Sequence, residues 1–496
     1  MLFILLIGLT ILIIIRELFR RLPQKCKGLP TIPLYTSVWE VCRGAGQVGL
    51  YNNRVRPVIE KHGAVNFWNA GQWTVLVTKP QYLNQIFRNE DVIAKAGFYK
   101  KVPGLELAHL FGENIIDSHG DVWRSFISIM RPAILQRADI TSMVRRSSKL
   151  VSIIASQQQR LSPGSSINVT GLVGRWTMDI FGERFLDAEL HSLENEDAAL
   201  ETALQTLFTA LSGPLLALFP TLEWVFGFMP SRRLAMKLTQ QYEDVLLKQV
   251  GNPPQKDRTL CAENTHQDKM IYRLQRAVQE GKMSEFHYKS NLKILAIAGW
   301  ENMRSSFTSL LWQIAGEPDI QRKLREEVDS HVPLSYTDSD FKNLPLMTSV
   351  IYETLRLYPP LSQLINRVAL EDFRLGDDIV ISKGMWVGWS AYGVHTDPNV
   401  WGPSAGDFSP ERWGSTMDEI KAAVRSHQAA GRYIAFNAYS RKCLGVEFAM
   451  MQLKVGLCEM LRRFKWERDP HQQLLISTNA ALTPEHCWLV MSPRTG

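Results

Sequence analysis

The chain is short of cysteine: six in 496 residues, at Cys26, Cys42, Cys261, Cys443, Cys458 and Cys487, with no Cys-x-x-Cys pair. That scatter excludes a zinc ribbon and a disulfide framework and fits a reducing compartment. No basic run carries interleaved aromatics, so the footprint of a nucleic-acid binder is missing and nucleic acid is not an expected partner. No segment repeats at a solenoid period. The apolar start has neither a charged leading region nor a small-residue cleavage site, so it does not read as a cleaved signal peptide. With 45% hydrophobic and 21% charged residues the chain is too apolar for disorder. Its length suits one large, mostly helical body. The formal charge of +7 favours anionic partners, such as lipid headgroups or an acidic protein face.

Met1 to Ile15 is almost entirely apolar, and Leu18 and Phe19 extend the run toward the ~20 residues that span a bilayer. Arg16, Arg20, Arg21, Lys25 and Lys27 follow it, which places that side in the cytoplasm. The expectation is a single N-terminal transmembrane helix over residues 1–21. A stiff proline hinge follows over residues 22–33, ending in Gly28-Leu29-Pro30-Thr31-Ile32-Pro33, and then a body over residues 34–496. Within the body, Val65 to Thr78 reads as a hairpin turning at Asn69-Ala70-Gly71-Gln72. His119-Gly120-Asp121 opens a helix. The apolar stretch from Leu204 to Pro220, with Trp224 to Met229 after it, is too broken by Gly213, Pro214 and Pro220 for a second span. It reads either as core helices or as a lid over a substrate channel. Residues 251–268 read as an exposed loop. Ser284 to Ala315 is the longest helical pattern, and Gly316-Glu317-Pro318 stops it.

The chemistry gathers in Phe436-Asn437-Ala438-Tyr439-Ser440-Arg441-Lys442-Cys443-Leu444-Gly445. A thiol there stands just before a helix and beside two cations, both of which favour thiolate and lower its pKa. One thiolate is too few ligands for structural zinc but suffices as the axial ligand of a haem. Taken alone, a cysteine before a helix is more often an inert core residue. Other motifs weigh against that. Ala298-Gly299-Trp300-Glu301-Asn302 puts a glycine at the centre of the longest helix, where it costs ~1 kcal/mol against Ala and calls for a reason. Glu353 and Arg356 stand at i and i+3 on one helix face with apolar residues on both sides, and Pro410-Glu411-Arg412 follows later. A surface pair of that kind contributes under ~1 kcal/mol; a buried one fixes geometry.

Together these residues resemble the cytochromes P-450. Phe436, Arg441, Cys443 and Gly445 match the haem-binding signature, with Tyr439 in place of its first glycine. Ala298, Gly299 and Glu301 match the distal-helix motif, with Asn302 in place of its threonine. Glu353, Arg356 and Arg412 match the buried triad that clamps the cysteine loop. Trp123 matches the first residue of Trp-x-x-x-Arg, where Ile127 takes the arginine's place and Arg124 is the candidate substitute. Arg367 and Arg441 stand where propionate partners lie. The resemblance implies a mostly α fold with a small β region, and haem b held by Cys443. It also implies electrons from NADPH through a cytochrome reductase, a hydrophobic substrate, and a cytosolic body on the endoplasmic reticulum membrane. In the family the threonine hydroxyl serves proton delivery; here that role would fall to Glu301 with water, or to a substrate hydroxyl. Overall flavour is similar to fungal members of secondary metabolism, which implies monooxygenation of an aromatic or phenolic molecule, or oxidative phenol coupling. An O2-independent haem-thiolate isomerase or a haem sensor is the reading of another class.

Overall fold

The computed structural model describes residues 8–13, 15–16, 28–137, 140–211, 218–220, 222–223, 230–250, 269–472 and 482–494. Over these the chain is mostly helical with small sheets. The hairpin forms as expected. β1 (Ala64–Asn69) and β2 (Gln72–Val77) pair antiparallel, with Ala64 opposite Val77 and Asn69 opposite Gln72. Ala70 and Gly71 turn the chain at φ of 48° and 77°, the left-handed geometry that continues the strand twist. α1 (Pro80–Arg88) follows, with its proline in the first turn, where a missing N–H costs nothing. β3 (Ile93–Lys95), β4 (Gln363–Ala369) and β5 (Trp386–Ser390) complete a five-stranded sheet in the order β1-β2-β5-β4-β3. Its last pairing sets Lys95 opposite Arg367, two cations side by side on buried strands.

Six further helices frame the site: α2 (Gly120–Ile134), α3 (Thr170–Phe181), α4 (Ala199–Leu211), α5 (Glu285–Ala315), α6 (Pro345–Leu357) and α7 (Val446–Arg463). α5 is 31 residues long; Ser284 caps it by accepting from the His287 N–H, and Gly316 ends it as expected. Trp176 of α3 and Phe307 of α5 lie 4.6 Å apart in the main core, which α6 and α7 complete through Val350, Leu355, Leu453 and Leu457. α5 is buried at every position from Ser305 to Ala315, polar Ser306, Thr308 and Ser309 included, so burial all round rather than an amphipathic face holds it.

Residues 28–33 are not a free linker. Asn66 donates to the Pro30 carbonyl at 2.9 Å and Ile32 donates back to Asn66 at 2.8 Å, so the end of the hinge joins the edge of β1. Among the described residues no helix is long and apolar enough to cross a membrane. Most of the anchor expected over residues 1–21 lies outside the described residues. So do hinge residues 22–27, residues 212–217, 221 and 224–229 of the core-helix or lid stretch, and the loop over 251–268.

Candidate active site

Cys443 lies in a loop tied down from several sides. Its N–H donates to the Phe436 carbonyl at 2.8 Å, which closes the loop on itself, and Phe436 packs against the main core. Gly445 caps α7. The thiol keeps accessible surface, yet burial pushes its pKa up, against the Gly445 N–H and Lys442 that pull it down. The two facts agree if the sulfur faces a recess inside the fold. The lowered thiol pKa expected from the sequence is therefore corrected. Burial outweighs the helix end, and Arg441 spends its charge elsewhere.

Arg441 turns to Glu90, pairs with it through Nε and Nη2, and donates from Nη2 to the Ser118 carbonyl at 3.0 Å. Its guanidinium stands 3.8 Å over the Trp123 ring. Arg367 is buried, held by one bond from Nη1 to the Ile93 carbonyl at 3.0 Å. Lys95, also buried, donates to Asn366 Oδ1 at 2.9 Å, and Asn366 in turn donates to Asp117 at 2.9 Å. Burial lowers the pKa of all three cations, Arg367 to about 10 and Lys95 well below its usual range. Three cations thus face two carboxylates, Glu90 and Asp117.

Several donors in this cluster have no partner. Arg367 Nε and Nη2, Arg441 Nη1 and the Ser118 hydroxyl are buried and unbonded, and His119 Nδ1 has only the Glu90 carboxylate at 3.8 Å. Orphaned buried donors at this density call for an anionic acceptor. A haem bound through Cys443 would present two carboxylates, and the donor set fits them. Arg441 stands on Trp123, and against the upward push of burial Arg441 and Arg367 both lower the pKa of the Glu90 carboxylate between them. Arg124 does not join them: it stands 64% exposed and pairs with Asp121 at 2.7 Å on the outward face of α2. Lys95, Glu90, Ser118 and His119 were missed. Only Lys95 left a signal, a charge set in an apolar strand.

In the middle of the mostly buried α5, Leu295, Ala298, Gly299 and Asn302 keep accessible surface. Their 3-1-3 spacing makes one stripe on the helix. Among the described residues nothing bonds the Asn302 amide, leaving it free to hold water. Gly299 has a packing reason: a Cβ there would meet Phe181 at 2.6 Å. The glycine serves the approach of α3 to α5, whatever else it opens. Glu301 flanks the stripe, and Arg304 grips both of its oxygens at 2.8 and 2.9 Å.

Glu353 and Arg356 are fully buried, as the flanking apolar residues led one to expect. Glu353 accepts from Arg356, from Arg412 Nε at 3.0 Å, from the Ser409 N–H and from Trp413 Nε1. Arg356 reaches on to the carbonyls of His395, Ala405 and Asp407. His395 carries the clamp to the cysteine loop. Its Nδ1 bonds the Arg356 carbonyl at 3.1 Å, and its Nε2 accepts from the Ile434 N–H at 2.9 Å. Burial pushes its pKa down to about 3, so it stays neutral and can accept at Nε2. Ile434 stands two residues before Phe436.

Tyr439 sits at φ 53°, the left-handed region that suits glycine and costs a tyrosine ~1–2 kcal/mol. Its hydroxyl donates to Asn84 Oδ1 at 3.0 Å and accepts from Arg88 Nε at 3.1 Å, and the Arg88 guanidinium stacks on the ring. These contacts with α1 offset the strain. Tyr439→Phe keeps the strain and loses both bonds, so it should destabilise the loop by about 1 kcal/mol. Tyr439→Gly loses bonds and strain together and should be nearer neutral. Haem-release rates order the two, and a faster release from the glycine variant would contradict the strut.

An accessible thiol at the head of α7, a buried cation cluster with unbonded donors and an accessible stripe on α5 suit a haem-thiolate enzyme, and comparisons with known proteins agree. The family model described as Cytochrome P450 matches residues 28–487. "Cytochrome P450 monooxygenase xanG" of Aspergillus fumigatus is 39% identical over 92% of this chain and 85% of its own. "Cytochrome P450-DIT2" of Saccharomyces cerevisiae is 32% identical over 92% and 91%. Mouse "Cytochrome P450 3A16" is 26% identical over 66% and 64%. The chain belongs to the cytochrome P450 family and is a haem-thiolate monooxygenase.

Proposed function

We propose that this monooxygenase oxidises a hydrophobic, aromatic and hydroxylated small molecule of fungal secondary metabolism. The observation that carries the reading is the distal stripe, where Asn302 replaces the usual threonine. Haem held by Cys443 supplies the activation of O2. The chain's own residues hold that group, exclude bulk water and deliver protons. With no hydroxyl at position 302, a water on the Asn302 amide and the Glu301 carboxylate, once freed from Arg304, carry protons, and a hydroxyl on the substrate completes the set. Two of the similar proteins are fungal, one a named monooxygenase, which supports the biological setting.

Electrons come from an NADPH-cytochrome reductase. Exposed Arg432 and Lys442 near the cysteine loop, with the chain's +7 charge, suit an acidic docking face. Residues 1–21 anchor the chain in the endoplasmic reticulum membrane, with the body in the cytosol.

The test is mass spectrometry of products from the full-length chain in a fungal host holding a pool of phenolic polyketides. A product heavier by one oxygen supports monooxygenation of a phenolic substrate. A product of near twice the substrate mass, less two hydrogens, replaces it with oxidative coupling. An unchanged pool sinks the substrate class.

A further inference from the structure

The proton route has a second acid that the reading above does not use. Glu201 of α4 is 4% exposed and lies against the backbone of Gly174 in α3. A Cβ at Gly174 would stand 2.5 Å from Glu201 Oε1 and 3.2 Å from Cδ of Arg304, so the carboxylate and the arginine stem share the space beside this glycine. The Gly174 carbonyl accepts from Trp300 Nε1 at 3.1 Å, and Arg304 stacks on the Trp300 ring at 5.2 Å. α3, α4 and α5 therefore converge on Glu201 and Arg304.

On a 3.6-residue helix, Glu301 stands about 110° from the centre of the stripe formed by Leu295, Ala298, Gly299 and Asn302, and Arg304 lies on the far face. Arg304 thus draws the Glu301 carboxylate away from the stripe and toward Glu201. We propose that Glu201 is a positioning residue for proton delivery: its charge decides whether Arg304 stays clamped on Glu301 or is drawn off, freeing Glu301 to serve Asn302 and its water. The proposal rests on the role given to Glu301 above. Only a proton moves, exchanged between Glu201 and water, and no other bond changes.

The surroundings suit such a switch. Burial, ahead of every other influence, raises the Glu201 pKa to about 7, while Arg175 and Arg304 pull it down and Asp179 pushes it up. On its own helix Gln205 donates to Oε1 at 2.9 Å. Arg175 pairs with the exposed Glu196 through Nη2, and its buried Nε has no partner. Above neutral pH, Glu201 is ionised and competes for Arg304. Below it, Glu201 is neutral and Glu301 stays clamped.

The test needs no organic substrate. Full-length protein with its NADPH-dependent reductase is followed for peroxide released per O2 consumed between about pH 6 and 9. Wild type should release a falling share of peroxide as pH rises through neutrality, because a freed Glu301 speeds proton delivery. Glu201→Gln should lose that fall and release about threefold more peroxide at the alkaline end. Glu201→Asp should keep a pH-dependent fall, which a structural role alone would not require. If Glu201→Gln does not hold haem, Gly174→Ala carries the test, since its methyl displaces the carboxylate and must move the midpoint. Profiles that coincide with wild type overturn the proposal. Absence of reductase-driven O2 uptake in wild type would sink the reading above along with this one.

Discussion

Glu353→Gln is expected to destabilise the fold by about 3–5 kcal/mol and to loosen the haem site. The carboxylate is fully buried and accepts from two arginines, a backbone N–H and an indole. Its removal leaves the Arg356 guanidinium buried with no countercharge, and an uncompensated buried charge is the costly case. The damage should travel, because Arg356 holds His395 and His395 holds Ile434. Denaturant unfolding and haem absorbance should therefore fall together. A change under ~1 kcal/mol with full haem retention would mean that the clamp is an ordinary ion pair. The double variant Glu353→Leu, Arg356→Leu should lose less than the sum of its single changes, since neither charge is then left alone.

Cys443→Ser is expected to abolish reductase-driven oxidation while leaving the polypeptide folded. The Gly445 N–H that points at the Cys443 sulfur can bond a serine oxygen as well, and the Cys443 N–H to Phe436 bond is backbone and survives the exchange. Stability should change by under ~1 kcal/mol. A serine hydroxyl does not ionise at neutral pH, so the electron-rich axial donor is lost. Product formation should drop to the background of the haem-free protein. Retained turnover would assign the chemistry to another ligand.

How far the sequence could be read follows from the range of the contacts. The hairpin, the ends of α5 and the Glu353–Arg356 pair depend on residues within a few positions of each other, and all were legible. The burial of that pair was legible too, because apolar residues flank it on one helix. Arg441 was placed correctly beside Cys443, but its charge goes to Glu90, 351 positions away, which no local pattern reveals. Tyr439 looked like a defect in a glycine position. Its compensation comes from Asn84 and Arg88 on α1, again from far along the chain. Arg124, the candidate substitute for the arginine that Ile127 replaces, goes to solvent with Asp121. Lys95 was overlooked because a short strand of Ile, Ala and Lys says nothing about which face meets the site. The thiol pKa was misread for a related reason: burial, a property of the whole fold, outweighs the neighbouring charges.

The measurement that bears most directly on the account is the carbon monoxide difference spectrum of the reduced, full-length protein beside its Cys443→His variant. The first should show the red-shifted Soret band of a thiolate-bound haem and the second should lose it, because imidazole replaces the sulfur. A wild-type spectrum without that band, or one that Cys443→His leaves unchanged, would contradict Cys443 as the axial ligand and with it the site built around it.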